Sequence, residues 1–78
     1  MKIYKLSQSI NTDYDTFDSI IVIAHDEKDA KTIAPSGQTL SKNDYVVWCE
    51  PQHITVELIG FANLYQSRGV VCASFNAG

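Results

Sequence analysis

The sequence predicts an α+β fold: an antiparallel β-sheet of four to five strands with one short helix packed on one face, in the order β-β-α-β-β-β. Three observations predict it. Residues 2–10 alternate between two faces, with Tyr4, Leu6, Gln8 and Ile10 on one and Ile3, Lys5, Ser7 and Ser9 on the other. Ser19–Ala24 is a nearly unbroken apolar, β-branched run, which suits a central strand covered on both faces. Only residues 26–34 carry the start, stripe and stop of a helix.

The elements follow in order. Strand one spans 2–10. Residues 11–16, Asn-Thr-Asp-Tyr-Asp-Thr, form a polar turn, because Asn and Asp side chains bond nearby backbone N–H groups. Strand two spans 17–25. Asp26 is a good N-cap for the helix, with Glu27 and Asp29 in its first turn. Ala30, Ile33 and Ala34 supply its apolar stripe, and Pro35 and Gly37 stop it. So short a helix needs the sheet to hold it. Residues 35–44 read as a long, mobile polar loop. Tyr45–Cys49 reads as a short strand ended by Pro51. Ile54, Val56 and Leu58 alternate with Thr55, Glu57 and Ile59 in the next, closed by Gly60. Residues 61–68 connect to a last strand from Gly69 to Phe75. Short connectors favour antiparallel pairing.

A length of 78 residues allows one domain, 1–78. Hydrophobic residues make up 45% and charged residues 19%, which excludes a disordered or collagen-like chain. No apolar run reaches the length that spans a membrane. Six Lys and Arg against nine Asp and Glu give a net charge of −3. The six cations are scattered singly, which argues against nucleic-acid binding. The start, Met-Lys-Ile-Tyr-Lys-Leu, lacks the apolar region of a signal peptide, so a cytoplasmic location and reduced Cys49 and Cys72 are expected. A thin core and an open sheet face in so short a chain lead us to expect a homodimer.

Chemistry finds few footholds. Asp13, Asp15 and Asp18 cluster, but a calcium loop starting at Asn11 would need Gly where Thr16 stands and Glu where Val22 stands. Cys49-x-x-x-His53 has a zinc-like spacing, yet only His25 and Cys72 remain to complete four ligands, and buried thiols usually act as small hydrophobes. There is no nucleophile elbow and no Gly-rich phosphate loop. No motif assigns nucleophile, base and oxyanion donors together, which points away from an enzyme, and no cofactor is implied. Tyr4, Tyr14, Tyr45 and Trp48 offer aromatic surface, with Tyr14, amid polar residues, the one expected outside.

Three segments resemble those of a set of small uncharacterised proteins from bacteriophages, prophages and scattered bacterial genomes. They are Lys2-Ile-Tyr-Lys-Leu-Ser-Gln8, the Asn11–Ser19 turn containing Asp-Tyr-Asp-Thr, and the ending Val71-Cys-Ala-Ser-Phe-Asn-Ala-Gly78. The resemblance covers roughly two thirds of the chain. It implies a small phage protein acting on a host, and inhibitors of bacterial immunity, anti-CRISPR proteins among them, are built at this size.

The expected function is therefore a non-catalytic phage-type accessory protein that binds and inhibits or modulates a host protein. Its expected partner surface is Asn11, Asp13, Tyr14 and Asp15 with Trp48 and Asn76. A second reading is an oligomeric sponge for a small molecule or nucleotide, with Lys5, Lys42 or Arg68 converging across a subunit interface. A third is a metal-dependent small enzyme using the Asp13, Asp15 and Asp18 cluster.

Overall fold

A computed structural model describes residues 1–76; Ala77 and Gly78, the end of the tail motif, lie outside the described residues. Four strands form one sheet: β1 (Lys2–Ser7), β2 (Thr16–Ala24), β3 (Thr55–Phe61) and β4 (Gly69–Asn76). One helix, α1, spans Glu27–Ala30, and two 3-10 turns span Lys42–Val46 and Pro51–His53. The sheet order is β3-β1-β2-β4, and every neighbouring pair is antiparallel. The α+β class is as predicted. The element order is not, because Tyr45–Cys49 is no strand.

The β1–β2 register explains the alternation read from the sequence. Tyr4 faces Val22 and Leu6 faces Ile20, and all four are buried. The opposite face brings together Ile3 with Ile23, Lys5 with Ile21 and Ser7 with Ser19. No helix covers this face. Lys5 stands exposed on it, Ile21 is half-buried and only Ile23 of the three is buried, so β2 is covered along one face and only near its end on the other.

The covered face meets a layer built mostly from irregular chain. Ala30, Ile33, Trp48, Cys49 and Ile54 supply it, against Tyr4, Leu6, Ile20, Val22 and Ala24 of the sheet. Each large side chain buried this way contributes about 1.5–3 kcal/mol. Trp48 is fully buried, and its indole Nε1–H has no hydrogen-bond partner among the described residues. Such an orphaned donor costs about 1–3 kcal/mol, which the packing of the large ring offsets.

The predicted helix over 26–34 shortens to one turn. Asp26 caps it as expected, its Oδ1 accepting from the Asp29 N–H at 2.7 Å. Thr32 Oγ1 then donates to the Asp29 carbonyl at 2.6 Å, and the chain leaves the helical path. Pro35 cannot follow a helical residue without a clash. Instead Ile33 and Thr39 form a single β-bridge around a tight turn at Gly37, whose φ of 93° suits glycine.

The stretch 35–44 is thus partly ordered by its own bonds, with Ala34 N–H donating to the Gln38 carbonyl and Leu40 N–H to that of Thr32. The strand predicted over Tyr45–Cys49 loses to a local signal just upstream. The Ser41 N–H donates to Asp44 Oδ2 at 2.8 Å, starting a 3-10 turn that runs through Tyr45 and Val46. β1 also stops at Ser7 rather than residue 10, and Ile10, predicted to share a face with Tyr4 and Leu6, is exposed while those two are buried.

Candidate partner-binding turn

The polar segment between β1 and β2 is held by four side chains, each bonding to backbone. Gln8, buried, does most. Its Nε2 donates to the carbonyls of Asn11 and Phe17, each at 2.7 Å. Its Oε1 accepts from the N–H groups of Ile10 and Asn11 at 3.0 and 2.8 Å. The amide therefore meets both donors and both acceptors of its surroundings, as a buried polar group must.

Asn11 carries the turn to the far layer. Its Nδ2 approaches the carbonyls of Tyr45, Val46 and Trp48 at 3.2, 3.1 and 3.0 Å. At the other end Thr16 Oγ1 donates to the Asp13 carbonyl at 2.6 Å, and Asn76 Nδ2 donates to the same carbonyl at 3.3 Å. The Asp15 N–H returns a bond of 2.7 Å to the Asn76 carbonyl. Asp15 itself has φ of 61°, in the left-handed region that Asp tolerates better than most residues.

Asp13, Tyr14 and Asp15 stand outside, as do Ser9, Ile10 and Thr12. Tyr14 is 76% exposed, and Val46, bound through its carbonyl to Asn11, is as exposed. Asp13, Asp15 and Asp18 are exposed and take no part in an ion pair among the described residues. The turn presents one exposed aromatic ring between two exposed carboxylates, Asp13 and Asp15, its neighbours in the chain. A cleft of about 250 Å³ adjoins it, with Ile10, Tyr45, Glu50 and His53 among its walls.

Three of the six expected surface residues, Asp13, Tyr14 and Asp15, face outward together. Asn11 and Asn76 belong to the same place but serve it by bracing the backbone. Trp48 is a correction: it lies in the core, where only its carbonyl meets the turn. Gln8 is the residue sequence reasoning missed. Its signal was a polar side chain at a core-facing position of an alternating strand.

The other constellations do not assemble. Among the described residues no group of three His, Cys, Asp or Glu is placed to hold a metal ion. Cys49 and His53 line the same cleft, but burial pushes the Cys49 thiol up to about 11, so it stays protonated at neutral pH. Lys5, Lys42 and Arg68 sit on the open sheet face, in the first 3-10 turn and just before β4. Arg68 is committed to Asp29 through Nε and Nη2 at 2.9–3.1 Å. A larger hollow, about 290 Å³, shares Tyr45 with the first cleft and is flanked by Lys28 and Lys31.

No helix among the described residues is long and apolar enough to cross a membrane. Compared with known protein families, curated proteins and solved structures, the chain matches none.

Proposed function

We propose that this chain is a non-catalytic, phage-type accessory protein that binds a host protein and inhibits or modulates it. A component of anti-phage defence, such as a CRISPR effector, is the class of target its sequence resemblance suggests. The observation that carries the binding role is Tyr14, 76% exposed at the tip of a turn whose backbone is fastened on both sides. A fixed loop loses little conformational freedom on binding, and an exposed Tyr is an efficient anchor for a partner's pocket. The free carboxylates of Asp13, Asp15 and Asp18 select a partner with a basic rim around that pocket.

The test is the double substitution Tyr14→Ala with Asp15→Asn. Asn keeps the left-handed backbone while removing the charge. Immobilised parent and variant are offered the same bacterial lysate, and thermal melts check that both are folded. A protein retained by the parent, released by salt and lost from the folded variant is the expected outcome. Equal retention by both, or none by either, removes this surface as the binding site.

A small-molecule sponge is the second reading, and the hollow beside Lys28 and Lys31 favours it. Its lining holds two lysines and no acid in a chain of net charge −3. Native mass spectrometry of gently purified protein decides: retained mass of nucleotide size supports it, and a bare chain opposes it.

A further inference from the structure

β4 is an edge of the sheet. β2 pairs with one side of it, and among the described residues no backbone group pairs with the other. Its eight residues, Gly-Val-Val-Cys-Ala-Ser-Phe-Asn, include no charge and no proline. Val71 to Asn76 are all exposed. Natural sheets guard their edges with lysines, inward charges, prolines or short strands, and β4 has none of these. Its pairing with β2 is irregular twice, at Val71 of β4 and opposite Ser74–Phe75, where Asp18 of β2 is the extra residue, so β4 itself carries no extra residue from Cys72 to Asn76. The opposite edge, β3, carries Glu57 and its own bulge at Ile59.

We infer that β4 pairs edge to edge, antiparallel, with β4 of a second copy of this chain. A two-fold axis at Ser74 sets Ser74 opposite its own counterpart and Cys72 opposite Asn76 of the second copy. A charge at or beside the axis would lie close to its own copy, and β4 has no charged residue wherever the axis falls. A β3 pair centred near Leu58 would set the two Glu57 carboxylates diagonally across the seam instead. The pairing makes one continuous eight-stranded sheet. Cys72 lies opposite Ile21, and Ser74 opposite Ser19, on the face without a helix. That face then runs unbroken through both copies, with Ile3, Ile21 and Ile23 of each on it. An edge of five residues buries less than the roughly 800 Å² per partner of a standard interface, so the dimer exchanges with monomer at micromolar concentration.

Sedimentation velocity over roughly 1 μM to 1 mM tests this. The average mass is expected to climb from 8.7 kDa toward twice that value. Cys72→Lys with Ser74→Lys places four cations along the seam and is expected to hold the chain at monomer mass. Thr55→Lys with Glu57→Lys, on β3, is expected to leave the dimer intact. Amide exchange on the unaltered protein gives an answer independent of whether variants fold: Cys72–Asn76 is expected to slow with concentration while Thr55–Phe61 does not. A parent that stays monomeric throughout overturns the inference. So does a dimer that survives the β4 changes, or one lost only with the β3 changes.

Discussion

The side-chain amide of Asn11 lies 3.0 Å from the carbonyl oxygen of Trp48, so the exposed acidic turn is bolted to the centre of the core. One NH₂ group serves three carbonyls there, those of Tyr45, Val46 and Trp48. Asn11→Ala is expected to cost about 1–3 kcal/mol, since it strands partly buried acceptors. Asn11→Asp is expected to cost more, because it faces the same carbonyls with a negative acceptor. Urea denaturation of the two variants ranks them; equal losses would mean that the amide donates little.

The two thiols differ in environment. Cys72 is exposed, whereas Cys49 is buried and held protonated by that burial, with the nearby Glu50 carboxylate adding to the effect. A thiol reagent at pH 8 is expected to modify Cys72 within minutes and Cys49 only after denaturant is added. Mass spectrometry of the digested adduct reads the two sites separately. Rapid labelling of Cys49 in the folded protein would show that its core layer opens readily.

Asp29 provides an acid-sensitive contact. The hydrogen bonds from Arg68 hold its carboxyl below the ordinary range, helped by the backbone N–H of His25. A carboxylate with a lowered folded-state pKa stabilises the fold above its unfolded value, 3.8. That contribution falls away as pH drops below this value through the folded pKa. The pair is well exposed, so its contribution stays under about 1 kcal/mol. Asp29→Asn is expected to flatten this part of the acid limb in a series of melts between pH 5 and pH 2. An unchanged limb would assign acid sensitivity to other carboxylates.

Much of the fold was legible because its strongest signals are local. The alternation of Tyr4 and Leu6 and the β-branched run Ile20–Ile23 place β1 and β2. Asp26 marks the start of α1. Tyr45–Cys49 misled because β-propensity describes fit to a pleated surface, and here Ser41 and Asp44 turn the chain before that surface is reached. The strand order was not legible: β3 and β4 follow one another yet sit on opposite edges, a choice made by tertiary packing. Of the candidate site, residue types pointed to Asn11, Asp13, Tyr14, Asp15, Trp48 and Asn76 alike, without separating the exposed three from the bracing asparagines or the buried Trp48. Gln8 braces backbone only two to nine residues away, but the bracing roles of Asn11 and Asn76 depend on partners far away in sequence, which no local pattern records.

The order β3-β1-β2-β4 also sets a sequence of events. β1 and β2 are neighbours in the chain and form the middle of the sheet, so the first hairpin to close is the one with the least entropy to lose. β3 and β4 each need that hairpin as a template, and the segment 62–68 must then cross from one edge to the other. This order favours assembly from the centre of the sheet outward. Loosening Leu6 or Ile20 would slow folding, while loosening β3 or β4 would chiefly hasten unfolding. The edges are the last parts to arrive and the first to leave.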